Sequence, residues 1–267
     1  MSIAVRSVTG VWGSRTTFLL ALAASAIGLG NLWRFSYLIG EHGGAPFLLV
    51  YLACLFVVAV PVLIAEIVIG SHGRASPVTA ILRASERSGR TRAWVLLGWL
   101  ASLTAAMILA YYCVVAGWGL AYIQKMLSGA FADASAADVG LEFAGLLADP
   151  QQLVQWQTLF IVMVFSTSAL GIYRGLGLLF WFAGPLALVA LGVLIQYGLE
   201  HGDMQRAGEF LFSVNQYDFT PEAVLIAMGQ AFYTLGIGAG IGMAFGAYAP
   251  EKLPIGRTVV AVAMIDT

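Results

Sequence analysis

Apolar residues in this chain come in long, nearly uninterrupted tracts separated by short polar ones. Six tracts, near residues 17–39, 45–70, 94–124, 157–173, 176–199 and 223–248, are long enough to cross a hydrocarbon layer as helices of roughly 17 to 25 residues, and a seventh starts near Thr258. Two of the six are not uniform. In "SAIGLGNLWRF", Ser25 to Phe35, two glycines, an asparagine and an arginine fall inside the first tract. In "YTLGIGAGIGMAFG", Tyr233 to Gly246, glycines stand at 236, 238, 240, 242 and 246. Each interior glycine costs a helix about 1 kcal/mol relative to alanine. A small-residue packing stripe explains glycines four apart such as 238, 242 and 246, but leaves Gly236 and Gly240 on other faces. The pattern predicts helices interrupted in mid-membrane, which is tolerated where the freed backbone lines a cavity or binds something. Broken helices expose amides at the start of one half and carbonyls at the end of the other, a pairing suited to an anion beside a cation. Two such interruptions, five tracts apart, point to a transporter built from inverted repeats.

Composition agrees with the tracts: 60% of residues are hydrophobic and 10% charged, with a mean hydropathy of +0.87. The net charge of -1 and the lack of a basic stripe with interleaved aromatics argue against nucleic acid. Charge is sorted by loop. Arg6, Arg15, Arg74, Arg83, Arg87, Arg90, Arg92, Arg174, Lys252 and Arg257 fall on one side, and only Lys125 and Arg206 lie in loops of the other. The positive-inside rule then predicts a multi-pass protein of the cell's inner membrane with a cytoplasmic N-terminus. Asp133, Asp138, Glu142, Asp149, Glu200, Asp203, Glu209, Asp218 and Glu222 belong to the opposite, outer loops, of which residues 125–156 are expected to hold some helix at most. The "ASA" at 24–26 imitates a signal-peptide cleavage site, but the apolar run continues past it. Cys54 and Cys113 lie within tracts and are read as packing residues. No H-E-x-x-H pair or G-x-S-x-G elbow is present, so an enzyme is not expected.

The motifs "GLGNLWRF" (28–35), "GGAPFLLVY" (43–51), "PVLIAEIVIG" (61–70), "AYYCVVAGW" (110–118) and "GQAFYTLGIGAG" (229–240) occur in order along the chain. On these residues the chain resembles the neurotransmitter:sodium symporter family, most of all its bacterial amino-acid transporters of the leucine-transporter type. The resemblance implies an all-α membrane fold with unwound first and sixth helices. It forms a single transmembrane domain, with a first repeat over about 12–200 and a partial second over about 222–267. The chain is expected to be the N-terminal portion of a longer protein. The implied function is sodium-coupled symport of an amino acid by alternating access; a non-transporting amino-acid sensor and an inactive truncated homologue are the alternatives.

The resemblance also implies a site. A first Na+ would meet the Ala26 carbonyl, the Asn31 side chain, Thr234 and Asp266, and a second the carbonyls of Ala24 and Ile27. The substrate carboxylate would lie on the amides around Ala26, Gly28, Leu29 and Gly30 and on the Tyr112 hydroxyl, and its side chain would meet Ile108, Tyr233, Gly236 and Ala239. Gly28, where monoamine carriers of the family have Asp, favours amino acids, and the small Gly236 and Ala239 favour a large apolar, branched or aromatic one. Glu66 would hold freed backbone amides and Arg34 would serve an outer gate. Trp12 belongs to a cytoplasmic gate whose arginine is replaced by Thr9. Gly175 and Pro185 would unwind the fifth helix. Tyr51, Gln230 and Thr234 occupy positions of a chloride site, which leaves chloride dependence open, as is a homodimer; the lipid bilayer is the expected surrounding.

Overall fold

The computed structural model describes residues 11–267 apart from Leu29, Asp133 and residues 213–219, and these are helical with short connections. Helix α1 (Arg15–Ala26) starts at Ser14, whose hydroxyl accepts the Thr17 amide at 3.1 Å, and ends where Ile27 turns extended. A π-helical turn (Gly30–Arg34) leads into α2 (Phe35–Glu41). Helices α3 (Ala45–Cys54) and α4 (Val60–Gly73) are joined through a π turn into one apolar rod, and α5 (Pro77–Arg87) is amphipathic. Next come the long α6 (Val95–Leu127), α7 (Ala136–Ala148), α8 (Pro150–Ala169), α9 (Gly177–His201) and α10 (Met204–Phe212). The chain closes with α11 (Pro221–Thr234), α12 (Ile241–Ala247) and α13 (Ile255–Asp266).

Among the described residues, three helical rods are long and apolar enough to cross a membrane: Ala45–Gly73, Arg92–Leu127 and Arg174–His201. The tracts at 17–39 and 223–248 fall short because their interruptions cut them into α1 with α2 and α11 with α12. The tract at 157–173 sits in α8, whose first turns, Pro150 to Thr158, are polar. Loop 125–156 holds more helix than expected, because Ser135 and Asp138 form a capping box for α7 and Asp149 caps α8.

The core gathers around α1, α3, α4, α11 and α13, where Phe18, Leu22, Phe47, Leu63, Ile67, Val259 and Val262 are fully buried. Helices α4 and α12 approach backbone to backbone: Gly70 lies against Met243 and Gly246 against Ile67, where a Cβ would collide with main-chain atoms. Gly242 lies against Leu63 and Glu66 in the same seam. Gly117 of α6 abuts the backbone of α8 at Trp156 and Gln157 in the same manner. The unwinding expected between Gly175 and Pro185 is absent, because α9 runs continuously through Pro185. Proline removes one hydrogen bond, a loss that membrane helices tolerate. Irregular backbone is confined to Gly171, at φ 75°, and the π turn Ile172–Leu176, where Gly175 packs on the Thr167 backbone.

Two outcomes follow. Gly70→Ala lowers thermal stability by about 1 to 3 kcal/mol through overpacking, whereas Gly192→Ala, with open space around it, leaves it unchanged; fluorescence-detected thermal unfolding reads both. Asp138 and Asp149 are held below the ordinary aspartate pKa, chiefly by hydrogen bonds from Ser135 and from Gln152 respectively. A depressed folded pKa gives stability that is present above the unfolded value of about 3.9. It is lost as the pH falls through the lower folded values, so amide exchange at the starts of α7 and α8 rises only in that acid range.

Candidate functional site

The interruption between α11 and α12 consists of residues 235–240, and its three glycines have positive φ: 65° at Gly236, 82° at Gly238 and 70° at Gly240. Side chains rarely adopt that region, so the alternate glycines make the break, and Gly242 and Gly246 beyond it make the seam with α4. The two explanations of the glycine run both apply, one on each side of residue 240.

Breaking the helix frees the Gly238 amide, which donates to Glu66 Oε1 of α4 at 2.9 Å. Glu66 is 8% exposed. Its other oxygen is buried with no hydrogen-bond partner and lies against Gly242. A single carboxylate from an adjacent helix thus holds the broken segment.

The α1 interruption lies alongside. Ile27 is extended, the Gly28 amide donates to Asn31 Oδ1 at 3.4 Å, and the Asn31 amide donates back to the Gly28 carbonyl at 3.1 Å. Asn31 Nδ2 reaches across to Asp266 Oδ1 at 2.7 Å and to Thr234 Oγ1 at 3.2 Å, while the Thr234 hydroxyl donates to Asp266 Oδ2 at 2.7 Å. Residues from the first break, the end of α11 and the end of α13 therefore converge on one polar cluster, in which Thr234 and Asp266 present oxygens and Asn31 presents its side-chain N–H groups. Asp266 is half-buried, and its partners in the cluster are neutral groups. One carboxylate among neutral polar groups, in an apolar surrounding, suits a monovalent cation.

Beside this cluster lies a cavity of about 490 Å³ lined by Gly30, Trp33, Tyr37, Tyr111, Tyr112 and Tyr233, with Arg34, Leu38 and Val115. Two glycines keep it open. The Tyr112 hydroxyl is 3.1 Å from where a Cβ on Gly28 would stand, and the Tyr233 ring is 2.8 Å from that of Gly30. Arg34 donates to the fully buried Gln230 and holds its guanidinium 5.3 Å from the Tyr233 ring centre. Tyr51, also buried, borders Thr234 and Thr267.

Gly28, Gly30, Asn31, Arg34, Tyr112, Gln230, Tyr233, Thr234 and Asp266 are thus brought together. Ile108, Gly236 and Ala239 do not line the cavity, and Gly236 packs on Ile241 instead. Ala24 and Ala26 end α1 at the break. Leu29 and Thr9 lie outside the described residues, as do Arg6, Asp133 and Asp218. Trp12 is buried at the far end of α12, donating its indole N–H to the Phe245 carbonyl at 3.3 Å and stacking on Phe245 at 5.4 Å. Sequence reasoning missed two contacts. The Tyr111 hydroxyl pairs with that of Tyr233 at 3.0 Å. Arg74, in the left-handed region at φ 46°, binds the Ala247 and Ala249 carbonyls. The "YY" pair and the charged residue directly after Gly73 were the available signals.

Residues 9–139 match the sodium:neurotransmitter symporter family. An uncharacterized sodium-dependent transporter of Bacillus subtilis, YhdH, is 30% identical over 96% of this chain and 56% of its own length. One of Haemophilus influenzae is 29% identical over 96% and 57%. The crystal structure of MhsT in complex with L-phenylalanine superposes with a TM-score of 0.85 at 34% identity, covering 96% of this chain and 58% of that one. The chain therefore spans a little over half the length of these relatives.

Replacing Glu66 by Ala strands the Gly238 amide in an apolar interior, at a cost of about 1 to 3 kcal/mol. Glu66→Gln, which keeps an acceptor, loses less. Thermal unfolding ranks the two variants, and equal losses would contradict the hydrogen-bond account.

Proposed function

We propose, on the premise that the chain belongs to the sodium:neurotransmitter symporter family, that it carries the ion and substrate sites of a sodium-coupled amino-acid symporter. The observation that carries this reading is the convergence of Asn31, Thr234 and Asp266 from three separate elements beside a cavity lined by aromatic rings.

In this reading the transported Na+ is held by the Ala26 carbonyl, Thr234 and the Asp266 carboxylate, and by Asn31 once its side-chain amide turns to present Oδ1 in place of Nδ2. The Ala24 and Ile27 carbonyls contribute to a second ion. Among the described residues no group of three or more His, Cys, Asp or Glu gathers, so the oxygen cluster carries a single negative charge, suited to a monovalent ion rather than a divalent one. The amino-acid carboxylate takes the amides around Gly28 and Gly30 and the Tyr112 hydroxyl, next to the cation. Each then raises the other's affinity, which is the physical content of coupling. Gly28 supports an amino acid over an amine, because it supplies no side-chain carboxylate to pair with a substrate amine and leaves that role to the substrate's own carboxylate.

A cavity of about 490 Å³ falls in the roughly 300 to 1,000 Å³ range of small-molecule sites. With Trp33, Tyr37, Tyr111 and Tyr233 on its walls it supports a large apolar or aromatic side chain, the class of the L-phenylalanine bound by the MhsT neighbour. Arg34, held by Gln230 and Tyr233, stands at the cavity's edge as a gate residue. Trp12 fixes the cytoplasmic end of α12 on the opposite side.

Binding of tritiated L-phenylalanine to the purified protein, in Na+ and then in K+, tests the reading. Saturable binding is expected in Na+ alone. Tyr112→Phe, which removes one hydrogen bond to a charged group, weakens it by about tenfold or more. Binding of equal strength in both salts would contradict the shared ion and carboxylate site.

A further inference from the structure

Between the last turn of α4 and the face of α5 lies a second cavity of about 290 Å³, lined by Val68, Ile69, His72, Ala80, Ala84 and the basic pair Arg83 and Arg87, with Ser88 at its rim. Its floor is the contact of Gly73 with Ala80, tight enough that a Cβ on Gly73 would stand 2.7 Å from the Ala80 Cα. The two walls are therefore fixed relative to each other.

Arg83 and Arg87 use one N–H group each to bind the Gly73 and His72 carbonyls at the end of α4, the latter at 3.3 Å. A helix C-terminus carries only about half a negative charge. Two guanidinium groups overcompensate it and leave the cavity positive. The surrounding segment adds to this: Arg74, Arg83, Arg87, Arg90 and Arg92 face one acid, Glu86, and Glu86 is engaged by Arg92 at 2.9 Å. Among the described residues neither Arg83 nor Arg87 has a carboxylate partner. His72 points its Nδ1 at the Val68 carbonyl, 2.9 Å away.

The cavity's exposed lining is mostly apolar, with the two arginines at its polar side, and it sits where the polar segment gives way to the membrane tract. Trp94, Leu96, Leu97 and Trp99 at the start of α6 are 50 to 63% exposed, and exposed tryptophans at such a boundary mark the headgroup level. Basic clusters on an amphipathic helix next to a spanning helix attract anionic lipid.

We propose that this cavity binds the phosphodiester headgroup of an anionic glycerophospholipid on the arginine-rich side of the membrane. Arg83 and Arg87 hold the phosphate oxygens, while Val68, Ile69 and Ala84 meet the start of the acyl chains. The inference rests on the membrane reading but not on the transport reading, so a failure of amino-acid binding leaves it untouched.

Native mass spectrometry of the purified protein titrated with phosphatidylglycerol, phosphatidylethanolamine of the same chains, and inorganic phosphate tests it. Phosphatidylglycerol is expected to bind best, and Arg83→Gln with Arg87→Gln weakens it by about tenfold. Arg90→Gln with Arg92→Gln removes the same charge outside the cavity and has a much smaller effect. Ala84→Phe fills the cavity without touching either arginine and abolishes retention, which decides the matter should the arginine double variant fail to fold. Equal losses in the two double variants would overturn the proposal in favour of diffuse charge. Inorganic phosphate that binds as tightly as the lipid and displaces it would overturn it in favour of a soluble anion.

Discussion

The amide of Gly238 lies in the middle of an apolar tract, where water is not at hand to accept it, and the carboxylate of Glu66 takes that role. An unmet backbone donor at such depth costs about 1 to 3 kcal/mol, so a break in α11–α12 requires an acceptor from a neighbouring element. The neighbour must then come very close. Gly70, Gly242 and Gly246 let α4 and α12 touch nearly backbone to backbone, which brings Glu66 within reach of the break. Glycine serves two ends in one segment: conformational freedom at 236, 238 and 240, and close approach at 242 and 246.

The same rod that carries Glu66 also carries Tyr51, at the other end of its path past α11, and ends in the arginine-rich turn. The break, the polar cluster and the positive cavity are thus all referenced to one continuous apolar element. Arg74 strengthens that reference by tying the end of α4 to the carbonyls after α12. Its left-handed backbone is unfavourable for a non-glycine residue, and the hydrogen bonds its side chain makes offset that strain. A broken helix held by a rigid neighbour can present backbone groups to a ligand without collapsing.

The sequence made the breaks legible, because a glycine spacing of two cannot be a packing stripe. It did not separate which glycines turn the backbone and which pack, since that depends on where α4 lies. Asn31, Thr234 and Asp266 are far apart in the chain, and no periodicity links them; only the resemblance put them together, and the hydrogen bonds bear on that grouping directly. Tyr111 was passed over for its neighbour Tyr112 because the resemblance singled out only the latter, yet both line the cavity, and Tyr111 pairs with Tyr233 from a distant helix. The helix over 136–148 starts from a capping box, Ser135 with Asp138, a local signal that the reading of 125–156 as an outer loop did not weigh. The Gly175 to Pro185 pattern suggested an unwound stretch, yet one missing hydrogen bond leaves α9 intact.

Direct binding of 22Na+ to the purified protein, followed by scintillation proximity with no amino acid present, goes to the heart of the account. If the broken helices exist to build an oxygen site around Asp266, Na+ binds saturably, and Asp266→Ala removes most of that binding while Asp138→Ala, an acidic change in the α6–α8 connection, leaves it intact. Sodium bound equally by both variants, or by neither the variants nor the parent, would contradict it.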